Sequence, residues 1–473
     1  MRTIEHIYID GAFVTPHGDE FFELVNPATE QVIGRVRLGD AQDARLAIAA
    51  AKRAFPAHSR TSKRERIDML ERMHEAVRAR EDELFEAITE EYGAPVSRGR
   101  WMAQHAANVL LDAARVLEDY AFERRAGSAR VVMQPLGVAG LITPWNSNAG
   151  FICGKLAAAL AAGCTAVIKP SEMSAMQTRV VTEALHAAGL PSGVFNIVTG
   201  RGETAGAEIG THPEVAKLSF TGSTVVGKSI LRNAAETLKR VTLELGGKSP
   251  MIILDDADFD VAVPLALDAG FMNSGQACIA GTRILVPQAR LPEFEDRMMR
   301  AVANVQAGDP RDPRTTVGPM VSRKQWERVQ RYIGIGIKEG ARLIAGGAGR
   351  PDGVNAGWFV RPTVFSGVRN DMTIAREEIF GPVLSIIPYR DTEDAIAIAN
   401  DTPYGLQAYV CSADQARAGE VASRIEAGRV LINTLAHEPL APFGGFKQSG
   451  IGREYGTFGI EAFLEPKSLL GLS

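Results

Sequence analysis

The chain has 473 residues, of which 45% are hydrophobic and 23% charged, a balance typical of soluble globular proteins with two or three domains. A formal net charge of -4 provides no basic surface for nucleic acid and no polycationic patch for a membrane. The first residues lack the apolar stretch of a secretory signal, and the longest apolar tract, 156–168, is too short to span a bilayer. We therefore expect a cytoplasmic protein.

Four cysteines occur, at Cys153, Cys164, Cys278 and Cys411. Their spacing fits neither a zinc motif nor a disulfide framework, so we expect reduced thiols and no metal centre. Without further context each is best interpreted as a small buried hydrophobic residue.

The amino-terminal part combines a short β-like stretch with helices. Ser62 and Glu65 form a capping box, which predicts the start of a helix. Apolar residues then recur at helical spacing, at Ile67, Leu70, Met73, Val77, Leu84 and Ile88. This face is typical of a packed core and indicates no functional role.

From about residue 136 the pattern changes to an alternation of strands and helices. Strands are predicted at 138–142, 165–168, 194–198, 216–220 and 241–245, and helices at 156–162, 175–188 and 224–235. Short apolar strands with helical crossovers predict a doubly wound, mostly parallel sheet. Such sheets bind ligands at the carboxyl ends of their strands, so this segment predicts a nucleotide-binding α/β domain.

A second α/β segment follows from Pro250. Strands are predicted at 251–254, 283–286 and 383–387, and helices at 258–272 and 323–338. No repeat or low-complexity linker interrupts the chain, so we expect domains in close contact.

Polar residues follow the predicted strands of the first segment. Lys169 and Glu172 come directly after the second strand, where they suit the two hydroxyls of an adenosine ribose. A carboxylate there would repel a 2′-phosphate and favours NAD over NADP. Taken alone, the pair is more typical of a solvated surface.

Glycines near the strand ends suit a pyrophosphate. Gly222 and Ser223 precede a predicted helix, whose free N–H groups can bind an anion, although such a pair is usually only a cap. The G-x-G-x-x-G fingerprint is absent, and Gly200, Gly202 and Gly206 only approximate it.

Three further residues suit nucleophilic chemistry. Cys278 lies among small residues, and a nearby positive charge, such as that of oxidised nicotinamide, would increase its thiolate fraction. Glu244 ends the fifth strand before two glycines, where a partly desolvated carboxylate can serve as a base. The Asn146 side chain can donate to an oxyanion, together with the Cys278 backbone N–H.

These motifs together resemble the aldehyde dehydrogenase superfamily over essentially the whole chain. The matching stretches, in the order of the family, are 144–146 (Pro-Trp-Asn), 169–172 (Lys-Pro-Ser-Glu), 220–223 (Phe-Thr-Gly-Ser), 243–250 (Leu-Glu-Leu-Gly-Gly-Lys-Ser-Pro), 275–278 (Gly-Gln-Ala-Cys), 377–383 (Glu-Glu-Ile-Phe-Gly-Pro-Val) and 442–450 (Pro-Phe-Gly-Gly-Phe-Lys-Gln-Ser-Gly). Each is a modest signal, but chance does not readily produce all of them in this order.

The resemblance implies a role for each matching residue. Cys278 would be the nucleophile, Glu244 the general base and Asn146 an oxyanion donor in the oxidation of an aldehyde to a carboxylate. The implied cofactor is NAD, with NADP as the alternative. Its contacts would be Trp145, Lys169, Ser171, Glu172, Gly202, Gly222, Ser223, Glu378 and Phe380.

The resemblance also implies the domain organisation. A Rossmann-type cofactor domain would comprise 1–117 and 136–246, and an α/β catalytic domain 247–447. A β-arm for oligomerisation would comprise 118–135 with the tail 448–473, which implies a homodimer or homotetramer.

One departure from the family pattern bears on the substrate. The family commonly has Phe-Pro after Trp-Asn, whereas this chain has Ser147 and Asn148. Phe151, Gly154 and His437 would also border the substrate tunnel. We expect a wider, more polar tunnel that accepts an aromatic aldehyde or a functionalised semialdehyde.

Two alternatives stay open. An acylating dehydrogenase would transfer the acyl group to coenzyme A, although such relatives commonly lack the base at Glu244. A non-catalytic protein that has kept the fold is the more distant alternative.

Overall fold

The structure is a computed structural model that describes residues 2–471. The amino-terminal part has five strands and four helices: β1 (Arg2–Ile4), β2 (Ile7–Ile9), β3 (Ala12–Val14), β4 (Phe21–Val25), β5 (Val32–Arg37), α1 (Ala41–His58), α2 (Lys63–Arg78), α3 (Glu81–Glu91) and α4 (Val96–Asp119). The predicted capping box is confirmed, since Ser62 and Glu65 exchange side-chain and backbone hydrogen bonds at the start of α2.

Strands and helices alternate in the next segment. In order they are β6 (Glu123–Ala126), β7 (Ala129–Pro135), β8 (Val138–Ile142), α5 (Asn148–Ala162), β9 (Thr165–Lys169), α6 (Ala175–Ala187), β10 (Phe195–Ile197), α7 (Ala207–Thr211), β11 (Val215–Thr221), α8 (Thr224–Ala235) and β12 (Arg240–Glu244).

The carboxyl-terminal half repeats this alternation. Its elements are β13 (Pro250–Ile253), α9 (Phe259–Phe271), β14 (Arg283–Pro287), α10 (Leu291–Val302), α11 (Arg323–Lys338), β15 (Arg342–Ala345), β16 (Thr363–Ser366), α12 (Thr373–Arg376), β17 (Val383–Tyr389), α13 (Thr392–Asn400), β18 (Gln407–Cys411), α14 (Gln415–Ser423), β19 (Arg429–Ile432), β20 (Gly450–Ile451), α15 (Gly456–Glu461) and β21 (Leu464–Leu469).

The first large sheet has eight strands in the order β20-β12-β11-β8-β9-β10-β2-β3. The five strands from β12 to β10 are parallel, and they are the five that the sequence predicts. The added strands β20, β2 and β3 pair antiparallel at the two edges. The carboxyl ends of β8, β9, β11 and β12 therefore meet along one edge, as expected for a doubly wound sheet.

The second large sheet has seven strands in the order β15-β16-β17-β14-β13-β18-β19, all parallel except β15. Each face of this sheet packs against a separate apolar core. Along β13, Met251 and Ile253 belong to one core and Ile252 to the other, because successive side chains point to opposite faces. Apolar residues on both faces explain why its strands read as continuous hydrophobic runs. The predicted mixed α/β fold class is confirmed.

Two small sheets complete the fold. Strands β1, β5 and β4 form one, and β21, β7 and β6 form the other. The latter joins segment 123–135 to the carboxyl-terminal tail, and Arg240 of β12 fastens it by two hydrogen bonds of 3.0 Å to Glu465 of β21. Helix α4 extends through Asp119, so the first residues of the predicted arm 118–135 are helical. Residues 1, 472 and 473 of the predicted domains lie outside the described part.

Within residues 2–471, every helix is too short or too polar to cross a bilayer.

Candidate active site

A cleft of about 700 Å³ opens at the carboxyl ends of the parallel strands of the first sheet. Loops that follow β8, β11 and β12 form one side, and the Cys278 loop, α11 and the loop before β17 form the other. The cleft brings together eight of the predicted site residues: Trp145, Asn146, Gly222, Ser223, Glu244, Cys278, Glu378 and Phe380.

The turn before Cys278 has an uncommon backbone conformation. Asn273, Ser274 and Gly275 have φ values of 55°, 58° and 73°, so three consecutive residues are left-handed. Left-handed conformations are uncommon outside glycine and persist where surrounding contacts hold them. The Ser274 hydroxyl accepts a 2.8 Å hydrogen bond from the Gly318 N–H, which supplies one such contact.

Gln276 anchors the same turn from within the protein. Its side chain is completely buried. The side-chain oxygen, Oε1, accepts from the Val321 N–H at 2.9 Å. The side-chain nitrogen, Nε2, donates to the Tyr92 hydroxyl and to the Pro319 carbonyl, each at 3.3 Å. A buried side-chain amide with these partners fixes the backbone that carries Cys278.

The Cys278 thiol lies in a desolvated and partly negative environment. Burial, together with the carboxylates of Glu378 and Glu244, raises its pKa to about 12, and Arg429 opposes the shift. The thiol is therefore protonated at neutral pH in the protein without ligands. Forming the thiolate requires a base or an added positive charge.

Glu244 ends β12 with its side chain only 2% exposed. Neither carboxylate oxygen has a hydrogen-bond partner within the described chain. Burial raises the pKa of Glu244 well above its ordinary value, Glu454 adds to the shift, and Lys155 and Arg453 oppose it. A carboxyl group in this state can hold a proton near neutral pH and exchange it with a bound reactant.

Two glycines allow the Glu244 strand to approach Cys278 closely. A Cβ atom on Gly247 would lie 2.4 Å from the Cys278 carbonyl oxygen, and one on Gly246 would lie 2.7 Å from a Glu378 carboxylate oxygen. The Gly247 N–H also donates to Glu378 at 3.0 Å. Burial raises the pKa of Glu378 to about 7. The two glycines thus allow Glu244, Glu378 and Cys278 to lie together at one end of the cleft.

Asn146 contacts the same loop from the end of β8. Its Nδ2 donates to the Gln276 carbonyl at 3.0 Å, and its own carbonyl accepts from Asn273 Nδ2 at 2.9 Å. The side-chain amide of Asn146 is therefore held beside the residues that lead into Cys278.

The start of α8 forms another part of the cleft. Ser223 caps this helix by accepting from the Val226 N–H at 3.4 Å, which confirms the predicted helix start. The free N–H groups at the start of α8 carry the positive end of the helix dipole and suit an anionic group. Phe380, with φ of 62°, places its ring 5.5 Å from that of Trp145 in an edge-to-face pair.

The other predicted cofactor contacts lie outside the lining of the cleft. Lys169 Nζ donates to the carbonyls of Pro170 at 2.7 Å and Gly200 at 2.8 Å. It also lies 3.7 Å from Glu172, which accepts from Arg201 at 3.3 Å. The remaining two residues of this group are Ser171, which caps a short turn by accepting from the Met173 N–H, and Gly202.

The four predicted tunnel residues do not share one cavity. Phe151 and Gly154 line a smaller cavity of about 50 Å³ beside Lys155. Ser147 is the residue that precedes α5, and His437 lies in the loop after β19. Helix α5 directs Phe151 and Gly154 towards α4, and a substrate tunnel bordered by all four residues stays a prediction.

A buried ion pair lies behind Glu244. Lys155 Nζ donates to Ser219 Oγ at 2.9 Å and pairs with Glu454, to which Ser219 Oγ donates at 3.1 Å. Glu454 belongs to none of the stretches that match the family. In the sequence, Glu454 is marked only by its charge within a Gly-rich segment of the tail.

Comparisons with known proteins agree with this geometry. The model of the aldehyde dehydrogenase family matches residues 13–469. A 3-succinoylsemialdehyde-pyridine dehydrogenase from Pseudomonas sp. is 48% identical over 473 residues, which covers 100% of this chain and 99% of the relative.

Solved structures are also similar to this chain. A mutant of aldehyde dehydrogenase C from Pseudomonas syringae, in complex with NAD+ and octanal, is 46% identical with a TM-score of 0.98, and the match covers 99% of this chain and 97% of that one. Mycobacterium tuberculosis aldehyde dehydrogenase, in complex with NAD+, is 39% identical with a TM-score of 0.97, covering 100% of this chain and 99% of that one. This chain therefore belongs to the aldehyde dehydrogenase family.

Proposed function

We propose that this protein oxidises an aldehyde to a carboxylate with NAD, using Cys278 as the nucleophile and Glu244 as the base of a hydrolytic second step. One observation carries the proposal. The thiol, the unpaired buried carboxyl and the Asn146 amide converge at one end of a large cleft.

The residues of the cleft fit NAD. Its volume of about 700 Å³ suits an extended ligand, the start of α8 suits a pyrophosphate, and Glu378 can accept from ribose hydroxyls. When bound, NAD supplies the acceptor for the hydride and a positive charge near the thiol. Trp145 and Phe380 would border the ring, with Gly202, Gly222 and Ser223 around the pyrophosphate. Lys169, Ser171 and Glu172 would contact the adenosine ribose.

In the first step the Cys278 sulfur attacks the carbonyl carbon of the aldehyde. The thiol must lose its proton to water, and the positive charge that oxidised NAD would supply nearby favours the thiolate. The Asn146 amide then leaves the Gln276 carbonyl and, with the Cys278 backbone N–H, donates to the new oxyanion. Loss of hydride from this adduct leaves a thioester on Cys278.

In the second step Glu244 accepts a proton from a water molecule that attacks the thioester carbon. The carbon–sulfur bond breaks, the carboxylate product leaves, and the thiol is restored. Burial raises the pKa of Glu244 well above that of an exposed glutamate, which makes its carboxylate a stronger base for this task.

Cofactor choice depends on Glu172. A carboxylate near the adenosine ribose disfavours a 2′-phosphate, so we propose NAD as the preferred cofactor, with NADP the alternative. Arg201 and Lys169 hold the carboxylate in place and partly compensate its charge.

We propose the domain division that the sequence predicts. Segments 1–117 and 136–246 would bind the cofactor, and 247–447 would contribute Cys278. Segments 118–135 and 448–473 would serve oligomerisation as a homodimer or homotetramer in the cytoplasm. The three-stranded sheet of β21, β7 and β6 supports this arm.

The proposed substrate is an aromatic aldehyde or a functionalised semialdehyde. The name of the Pseudomonas relative couples a semialdehyde to a pyridine, which supports this class. The complex of the Pseudomonas syringae enzyme with octanal makes a simple aliphatic aldehyde the second candidate.

The proposal is tested by following the absorbance of reduced nicotinamide with NAD or NADP and a panel of aliphatic, aromatic and semialdehyde substrates. We expect turnover without coenzyme A and its loss in Cys278→Ala. Turnover that depends on coenzyme A would favour the acylating alternative. Cofactor binding without oxidation of any aldehyde would favour a non-catalytic protein.

A further inference from the structure

A row of aromatic side chains runs from the surface towards Cys278 outside the lining of the NAD cleft. Trp101 and His105 of α4 stack with centroids 4.6 Å apart, and the His105 ring lies 5.7 Å from that of His437. The row continues through Tyr455, 5.4 Å from His437, to Phe443, 5.8 Å from Tyr455. We call these five residues the ring row.

The two ends of the ring row differ in exposure. Trp101 is 40% exposed and marks the outer end. Tyr455 belongs to the inner part: burial raises the pKa of its phenol, and nearby Glu454, Glu244 and Cys278 add to the shift. The ring row therefore runs from the surface towards the reacting thiol, and none of its five residues lines the NAD cleft.

Arg429, the first residue of β19, lies against the inner part of the ring row. Its guanidinium carbon is 5.2 Å from the centre of the Phe443 ring, and Nη1 donates to His437 Nδ1 at 3.4 Å. Its charge also lowers the pKa of Cys278. The guanidinium is thus close to both the ring row and the nucleophile.

A buried chain of hydrogen bonds fixes Arg429 relative to the Cys278 loop. Arg429 Nε donates to Gln407 Oε1 at 2.7 Å, and Gln407 Nε2 donates to the Tyr409 hydroxyl. The Tyr409 hydroxyl donates in turn to the carbonyl of Ile279 at 2.8 Å, one residue beyond Cys278. A guanidinium held in this way is preorganised with respect to the reacting carbon.

The charge of Arg429 is not neutralised within residues 2–471. Among residues 2–471, no carboxylate lies within salt-bridge distance of it, although the structure contains many arginine–carboxylate pairs. Burial lowers the pKa of His105 to about 4 and also lowers that of His437, so neither ring is charged at neutral pH. A half-buried guanidinium with two hydrogen bonds retains donors for a further acceptor.

We propose that Arg429 is a specificity-determining residue, which binds a carbonyl or carboxylate oxygen at the far end of the aldehyde while the ring row packs against the chain between. This inference rests on the proposed function and names the substrate class of the same site. A ketone oxygen accepts one N–H, and a carboxylate can accept two in the bidentate geometry that guanidinium favours.

The test compares aldehydes that differ only at the far end. Pentanal and heptanal carry no acceptor, whereas 4-oxopentanal and 6-oxoheptanal carry a ketone and the semialdehydes of succinate and adipate carry a carboxylate. The kcat/KM of each is measured for the natural protein, Arg429→Gln and Arg429→Lys. Arg424→Gln is the matched control, because it removes an exposed arginine that pairs with Glu393 away from the ring row.

In Arg429→Gln we expect kcat/KM to fall for the ketones, for the semialdehydes or for both. This fall should exceed any fall for pentanal and heptanal by about tenfold or more. Arg429→Lys should lose less for the semialdehydes, since a point charge remains, and Arg424→Gln should keep the natural selectivity. A fall specific to the ketones or to the semialdehydes identifies the acceptor.

A separate readout distinguishes an effect on the nucleophile. The rate at which iodoacetamide alkylates Cys278 without aldehyde should change far less than the selectivity. An equal loss for all six aldehydes, with slower alkylation, would show that Arg429 serves the thiol and would overturn the inference, as would unchanged selectivity. Failure of the natural protein to oxidise any aldehyde would instead refute the proposed function.

Discussion

Substitution of Gly247 by alanine should impair catalysis without unfolding the protein. The added Cβ would lie 2.4 Å from the Cys278 carbonyl oxygen, whereas ordinary contact begins at 3.4 Å. The Cys278 loop must therefore move by about 1 Å, and a displacement of that size at a reacting group costs roughly 100-fold in rate. We expect kcat/KM for the best aldehyde to fall by about this factor.

The matched control is Gly210→Ala in α7, where an added Cβ would have no neighbour within 4 Å. Alanine favours a helix over glycine by roughly 0.5–1 kcal/mol, so this variant should be fully active and at least as stable as the natural protein. Steady-state kinetics, iodoacetamide labelling of Cys278 and thermal unfolding are measured for both. Activity of Gly247→Ala within twofold of the natural value would refute the close approach of Gly247 to the Cys278 loop.

Three further changes have definite expected outcomes. Glu172→Gln should raise kcat/KM with NADP relative to NAD by about tenfold, because it removes a carboxylate and frees Arg201; an unchanged ratio would contradict the assigned contact. Ser147→Phe should impair aromatic aldehydes more than acetaldehyde, and equal effects would count against a role in the substrate path. Glu244→Gln should raise the unfolding temperature increasingly above about pH 5. The native state keeps the Glu244 proton to a higher pH than the unfolded chain, so the natural protein loses stability as pH rises. A difference in unfolding temperature between this variant and the natural protein that does not grow with pH would contradict the raised pKa.

Local patterns predicted eight strands of the two large sheets, β8 to β14 and β17, to within two residues, whereas β15, β16, β18, β19 and β20 were not predicted. Strands β8 to β13 are short apolar runs between polar or glycine-containing turns, and this signal is largely independent of tertiary contacts. Helix α5 was placed too late, at 156, whereas it begins at Asn148. That residue is buried, accepting from Thr143 Oγ1 and donating to Thr178 Oγ1, each at 2.9 Å. A buried polar side chain satisfied by distant partners gives no apolar signal.

The site residues also divide into those that a local stretch of sequence identifies and those that only the fold brings together. Asn146, Glu244 and Cys278 belong to contiguous stretches whose order in the chain identified them. Glu454 and Arg429 reach the surroundings of Glu244 and Cys278 only through the folding of the tail and of β19. Within residues 2–471, Arg429 has no carboxylate partner because no acidic side chain folds against it. Composition and periodicity do not reveal such an arrangement.

The minor elements illustrate a further limit. The sequence indicated a β-like start but not that β2 and β3 extend the first sheet while β1, β4 and β5 form another. Three-residue strands such as β2 carry little pattern of their own. Their placement depends on the sheet edge that accepts them.

The measurement that tests the central claim most directly is the mass of Glu244→Gln after it is mixed with NAD and an aldehyde that the natural protein oxidises. Removal of a general base typically slows its step by roughly 100- to 10,000-fold, so the thioester should accumulate. We predict one burst equivalent of reduced nicotinamide and an acyl group on the peptide that contains Cys278. Steady turnover of Glu244→Gln at the natural rate, with no acyl group on Cys278, would contradict the account.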